Sequence, residues 1–196
     1  MVATVVGGVA LGALDLLLQR VLPYPWANLA NSSAIWALAA YGLGLWVRTP
    51  WWRAASAGAA LLVIAVPVYY LAAVIFLHDD ISTLWDRTAL LWIAFGVPAG
   101  LLFGFGATLV WSSGWQQLAG VALPAAVLFA EALVAVLRGG DAANRRDRIQ
   151  TAVIEVVIGL AVILVVGRTG RQRVGGLIAS VPLALIGFVA FKLGGF

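Results

Sequence analysis

Cysteine is absent from this sequence, and histidine occurs once, at His78. The first absence excludes disulfides, thiolate metal sites and cysteine nucleophiles. The second excludes histidine-rich metal centres. Lysine is almost missing as well. Lys192 is the single one, against eleven arginines, and it stands at the end of the last apolar stretch rather than inside one. A serine–lysine dyad or a Schiff base within an apolar segment therefore has no lysine to use. The HExxH, GxSxG, P-loop and dinucleotide-binding glycine signatures are also missing. The sequence thus leads us to expect neither an enzyme nor a cofactor or metal centre.

Charge is scarce. Charged residues make up 10% of the 196 and hydrophobic ones 63%, with a mean hydropathy of +1.04. A soluble domain carries about 25% charged residues, so lipid must be the solvent for most of these side chains. Helices are the economical way to satisfy a backbone there, because each closes its own hydrogen bonds. The expected fold class is all-α, a polytopic transmembrane helical bundle forming one transmembrane domain over residues 1–196. The net charge of +4 and pI near 10.1 point to basic loops facing anionic lipid, not to nucleic acid. No basic residue precedes the first apolar run and Asp15 interrupts it, so that run reads as a retained helix and not as a signal peptide.

Seven stretches approach the ~20 apolar residues that span a bilayer. They are Val2–Leu22, Asn31–Val47, Ala54–Leu77, Thr88–Trp111, Gln117–Leu137, Gln150–Gly167 and Val174–Phe191. The second, sixth and seventh are short, so six spans with one re-entrant segment is the alternative. Trp46, Trp51, Trp52, Trp111 and Trp115 fall at helix ends on one side, A, and Trp26 and Trp85 on the opposite side, B. This is the aromatic belt of the two interfaces. Trp36 and Trp92 lie deeper and read as interior packing. Basic residues number five on side A and seven on side B, which leans toward side B inside. The expected location is a bacterial cytoplasmic membrane.

Gly8 and Gly12 in the first stretch, and Gly96, Gly100 and Gly104 in the fourth, recur at four-residue spacing. Such a stripe lets a second backbone approach closely, here more readily within the bundle than between copies.

Polar groups inside the apolar stretches are few and lopsided. Asp15, Glu131 and Glu155 all fall in the side-B half. A carboxylate at mid-bilayer costs about 2.5–3.5 kcal/mol on insertion scales, so each should face the bundle interior or a wet cavity. Asp15 shares the stripe of Gly8 and Gly12, and Glu155 the face of Thr151, Gly159 and Arg148. The connection Pro23–Ser33 joins them on side B. Its prolines stop the preceding helix, its Asn-Ser-Ser run suits a helix cap, and its Asn28, Asn31 and Ser32 can hydrogen-bond. Tyr69 and Tyr70 are on side B too.

Two readings follow. Asp15, Asn28, Asn31, Ser32, Tyr69, Tyr70, Glu131 and Glu155 form a vestibule that binds or translocates a small solute or ion. Alternatively the acids pair with Arg20, Arg138 or Arg148 and serve only as interhelical glue in a membrane scaffold or partner subunit. The expected partners are the lipid bilayer, a small-molecule or ion ligand, and a second copy or partner membrane subunit. The basic loop Arg138–Arg148 and the trio Arg168, Arg171 and Arg173 are candidates for lipid headgroups.

One further signal is the order of features. A glycine-rich first helix leads through Leu22-Pro23 into Leu29-Ala30-Asn31-Ser32-Ser33 and Trp36. An arginine-flanked turn at Arg48–Arg53 follows, then Ala130-Glu131-Ala132, then Glu155 in a Val/Ile-rich helix. This order resembles an uncharacterised family of small bacterial integral membrane proteins, a domain of unknown function common in high-GC Gram-positives. The resemblance implies a cytoplasmic N-terminus with side B external, against the basic count. It implies no activity.

Overall fold

The structure is a computed structural model describing residues 1–138 and 145–194. The regular structure among these residues is helical. The helices are α1 (Val2–Val21), α2 (Trp26–Ala30), α3 (Ser33–Val47), α4 (Trp51–Leu77), α5 (Arg87–Thr108), α6 (Gly114–Leu137), α7 (Arg145–Val166) and α8 (Gly170–Leu193). Short 3₁₀ turns at Ile81–Trp85 and Leu109–Trp111 complete the path. The all-α helical bundle expected from composition is the fold observed.

Six helices are long and apolar enough to cross a membrane: α1, α4, α5, α6, α7 and α8. α3 has 15 residues and rises only about 22 Å, against a hydrocarbon core of about 30 Å. Length alone therefore supports six spans, and α3 falls short of a seventh. The long helices carry large aliphatic side chains in the open. Val165 is 83% exposed, Ile178 68% and Ile186 65%. Water would penalise that surface and lipid does not, so the chain is a multi-pass membrane protein. Several helices run past their apolar stretches. α7 starts at Arg145 and α8 at Gly170, where the Thr169 side chain caps by accepting from the Gln172 N–H. Hydropathy marks only the part of a helix that meets hydrocarbon, and capped polar turns extend it on either side.

The chain divides into two compact units. The first holds Met1–Leu22 and Trp36–Thr108, and the second Pro23–Ile35 and Leu109–Phe196. In the first, α4 is the middle helix, packed on α1 and on α5. Glycine sets both contacts. A Cβ on Gly8 would meet the Leu61 carbonyl oxygen, and one on Gly12 the Ala65 carbonyl oxygen. Gly58 and Gly100 face each other across α4 and α5, and Gly104 faces Ala54 and Ala55. The two glycine stripes thus serve packing within the chain, backbone against backbone. In the second unit α6 is the middle helix, the most buried of the six, flanked by α7 and α8. Here side chains fill the glycine sites: the Phe129 ring covers Gly159, and Val121 covers Gly176.

Gly104→Ala should therefore push α5 off α4, at a cost of about 1–3 kcal/mol for overpacking. Gly42 on α3 has open space around its missing side chain, so Gly42→Ala should leave stability unchanged or raise it by up to ~1 kcal/mol of helix propensity. Thermal unfolding of the two variants in detergent checks this. Equal effects would show that the close approach of α4 and α5 does not matter.

Candidate functional site

The Pro23–Ser33 connection is more ordered than a plain loop. Trp26–Ala30 forms the single helical turn α2, and Asn31 closes it by donating its backbone N–H to the Ala27 carbonyl. Ser32 then caps α3. Its hydroxyl oxygen accepts the Ile35 N–H at 3.2 Å, satisfying one of the amides that a helix start leaves unpaired.

Glu131 takes the others. It projects from α6 and accepts the Ser33 N–H at 3.2 Å on Oε1. Its Oε2 accepts the Ala34 N–H at 2.8 Å and the Ser32 hydroxyl at 2.7 Å. The α3 start is thus closed by two side chains about a hundred residues apart. The carboxylate also lies where the helix dipole favours negative charge. Glu131 is accordingly bound by neutral donors that α3 itself supplies.

Glu155 is the contrast. It sits on the buried face of α7 with Thr151, Gly159 and Ile163, and is 1% exposed. Among the described residues its Oε2 has no hydrogen-bond partner. Glu131 is near enough to act on it electrostatically, charge against like charge. One turn away, the Thr151 hydroxyl oxygen accepts from Asn28 Nδ2 at 3.2 Å and donates back to the Asp147 carbonyl at 2.9 Å. α2 and α7 are held together by that contact. Ser32, Glu131, Glu155, Thr151 and Asn28 all belong to the second unit. Asn31 is exposed at the edge of the same connection.

Asp15 makes its contacts in the first unit. It is buried at 5% exposure on the α4-facing side of α1, on the stripe expected from Gly8 and Gly12. Oδ1 accepts from Gln19 Nε2 and Oδ2 from the Trp36 indole N–H, both at 2.8 Å. Tyr69 packs beside Leu16, within electrostatic reach of Asp15, and its ring meets Tyr70 edge-on at 5.4 Å. Tyr70 lies within electrostatic reach of Asp86.

The arginine pairing expected of the acids is not what Asp15 and Glu131 use. Their partners are amide, indole, hydroxyl and backbone N–H groups. Arg20 instead donates to the Phe76 carbonyl at the end of α4, at 2.8 Å, where helix carbonyls lack partners of their own. On the second unit, one surface groove is lined by Arg145, Arg146, Ile149 and Gln150, and another by Pro25, Trp26, Ile149, Gln150, Val153 and Ile154. Among the described residues no three His, Asp or Glu side chains come together as a metal site. His78 ends α4 in the left-handed conformation, and Asp80 caps the turn after it. The hydrogen bonds from Ser82 hold the Asp80 carboxyl below its ordinary value. Much of the Arg138–Arg148 loop, residues 139–144, lies outside the described residues.

Sequence reasoning missed Gln19, Trp36, Thr151 and the two backbone amides as partners. Trp36 carried a signal. An indole N–H buried at membrane depth must find an acceptor, and acceptors there are few. Trp36→Phe should strand Asp15 Oδ2 and cost about 1–3 kcal/mol. Asp15→Asn in the Trp36→Phe background should cost less than in the wild type. A double-mutant cycle on unfolding temperatures checks this, and simple additivity would show that the indole–carboxylate bond carries no energy.

Residues 1–194 match the model of a family described as a family of unknown function (DUF6518). No curated protein and no solved structure matches the chain.

Proposed function

The chain belongs to this family of unknown function, and on that footing we propose that it is a membrane protein that binds a small cation at Glu155. The ligand class is a monovalent metal ion or a compact ammonium group. One observation carries the reading: a carboxyl group only 1% exposed, with one oxygen unpartnered, beside a second carboxyl group. A buried charge is costly unless it is paired or coordinates an ion. Glu131 has its donors already, and Glu155 Oε2 has none among the described residues. A positive ligand would answer both the open oxygen and the like-charge repulsion from Glu131. Hard cations take oxygen ligands, and the Thr151 hydroxyl lies one turn from Glu155 on the same face of α7, with the Asn28 amide of α2 hydrogen-bonded to it. The site so formed is enclosed between helices. It is a binding site and not a catalytic one.

A second reading, interhelical glue, suits Asp15 and Glu131, whose oxygens accept from neutral donors of their own units. It does not account for Glu155.

Thermal-shift measurements on the purified chain in detergent test the proposal. Lithium, sodium, potassium and methylammonium chlorides are compared at constant ionic strength, on wild type and Glu155→Gln. One of these cations should stabilise the wild type, by about 2.7 kcal/mol at a hundredfold excess over Kd, and leave the variant unmoved. Equal shifts in both proteins, or none in the wild type, would sink the idea.

A further inference from the structure

The two grooves of the second unit run into each other. Ile149 and Gln150 line both. Together they follow one stripe of α7, because Arg145, Ile149 and Val153 are spaced at four residues, as are Arg146, Gln150 and Ile154. The stripe is about 13 Å long at 1.5 Å per residue. Its composition changes along that length. The first part, of about 400 Å³, has two exposed guanidinium groups at its rim. The second, of about 350 Å³, is walled by Trp26, Pro25, Val153 and Ile154. Trp26 is 49% exposed, and Val153 57%. Both parts are open to the side.

We propose that this groove is a binding site for one anionic phospholipid, with its phosphate at Arg145 and Arg146 and an acyl chain along Ile149 and Val153 against Trp26. Charge complementarity fixes the headgroup. Guanidinium groups bind phosphate oxygens in pairs, and two of them favour an anionic headgroup over a zwitterionic one. Continuity with the apolar part fixes the source. A free phosphate would use only the basic part and a neutral apolar molecule only the other. A phospholipid has both chemistries joined at this scale. The placement agrees, since Arg145 opens a candidate span that turns apolar after Gln150, as a headgroup-to-chain boundary requires. Trp26 has the amphipathic ring that favours this depth. The site is independent of Glu155.

Native mass spectrometry of the full chain, released from non-ionic detergent, tests this. The probes are phosphatidylglycerol, phosphatidylcholine with the same chains, and glycerophosphoglycerol, which has the headgroup and no chains. The wild type should retain phosphatidylglycerol about thirtyfold more strongly than phosphatidylcholine, the scale expected of two interfacial arginines. Glycerophosphoglycerol should not compete. Arg145→Gln with Arg146→Gln should erase the preference for the anionic lipid. Val153→Trp, which fills the apolar part from an exposed position, should weaken retention of both lipids. Arg53→Gln with Arg87→Gln, in the first unit, should leave the preference intact. Three results overturn the proposal: equal retention of both lipids by the wild type, competition by the chainless headgroup, or an unchanged preference in the Arg145/Arg146 variant. A loss of preference in the Arg53/Arg87 variant equal to that in the Arg145/Arg146 variant also overturns it, because overall charge would then explain the effect.

Discussion

Glu131→Ala should be the most damaging single truncation of a polar side chain in the second unit, lowering stability by about 3 kcal/mol or more. The substitution removes the acceptor for three donors at once: the Ser32 hydroxyl and the Ser33 and Ala34 amides. Hydrogen bonds to a charged group are worth about 1.5–3 kcal/mol each, and donors left buried without water keep their full desolvation cost. The loss of negative charge at the α3 start adds up to about 1 kcal/mol from the helix dipole. The cost should fall short of the simple sum, because a freed helix start can fray and take up water. Glu131→Gln keeps one acceptor oxygen but turns an NH₂ group toward backbone donors, so it should lie between wild type and alanine. Ser32→Ala should cost about 1–2 kcal/mol as a lost helix cap. Combined with Glu131→Ala it should cost less than the sum, since both mutations break the same 2.7 Å bond. Denaturant or thermal unfolding in detergent supplies the numbers. A Glu131→Ala protein as stable as the wild type would mean that α3 does not depend on α6 for its start.

The parts of this arrangement that sequence reasoning reached are those with a local signature. Apolar length located the long helices. Four-residue spacing located the glycine stripes and placed Asp15 on the face that meets α4. Ser32 was legible as a cap because a hydroxyl before an apolar helix has few other uses. What stayed hidden involves partners distant in the chain. Glu131 and the α3 start are separated by about a hundred residues, and no periodicity links them. The arginine pairing was misjudged for a physical reason. Coulomb attraction suggests that a carboxylate will seek a guanidinium, yet Arg20 finds a free helix-end carbonyl closer at hand. Asp15 and Glu131 find neutral N–H groups already fixed in place, which ask little further ordering of a long side chain. The short α3 was also only half legible. Its sequence is apolar enough to span, but Ser32 sets where the helix begins, and Val47 ends it after 15 residues.

Glu155 should behave in the opposite way to Glu131. In buffer without the small cations, Glu155→Met should raise stability by about 1–3 kcal/mol. Methionine has nearly the same length and volume, so no cavity opens, and volume-conserving exchanges of this kind cost little. What disappears is a buried polar group with an open oxygen, whose desolvation is worth about 1–3 kcal/mol, together with like-charge repulsion from Glu131. Glu155→Gln should gain less, because the amide is still buried and polar. A residue that destabilises its own fold is a sign that it is kept for something other than folding, since strain of this kind concentrates where a site needs it. The two carboxyl groups therefore separate cleanly by experiment. Removing Glu131 costs stability because its donors lose their acceptor. Removing Glu155 gains stability because no donor among the described residues depended on its Oε2. Unfolding temperatures of Glu155→Met and Glu155→Gln against wild type decide the matter. A clear loss of stability in Glu155→Met would show that Glu155 holds a structural partner, and the cation site proposed around it would fall with that result.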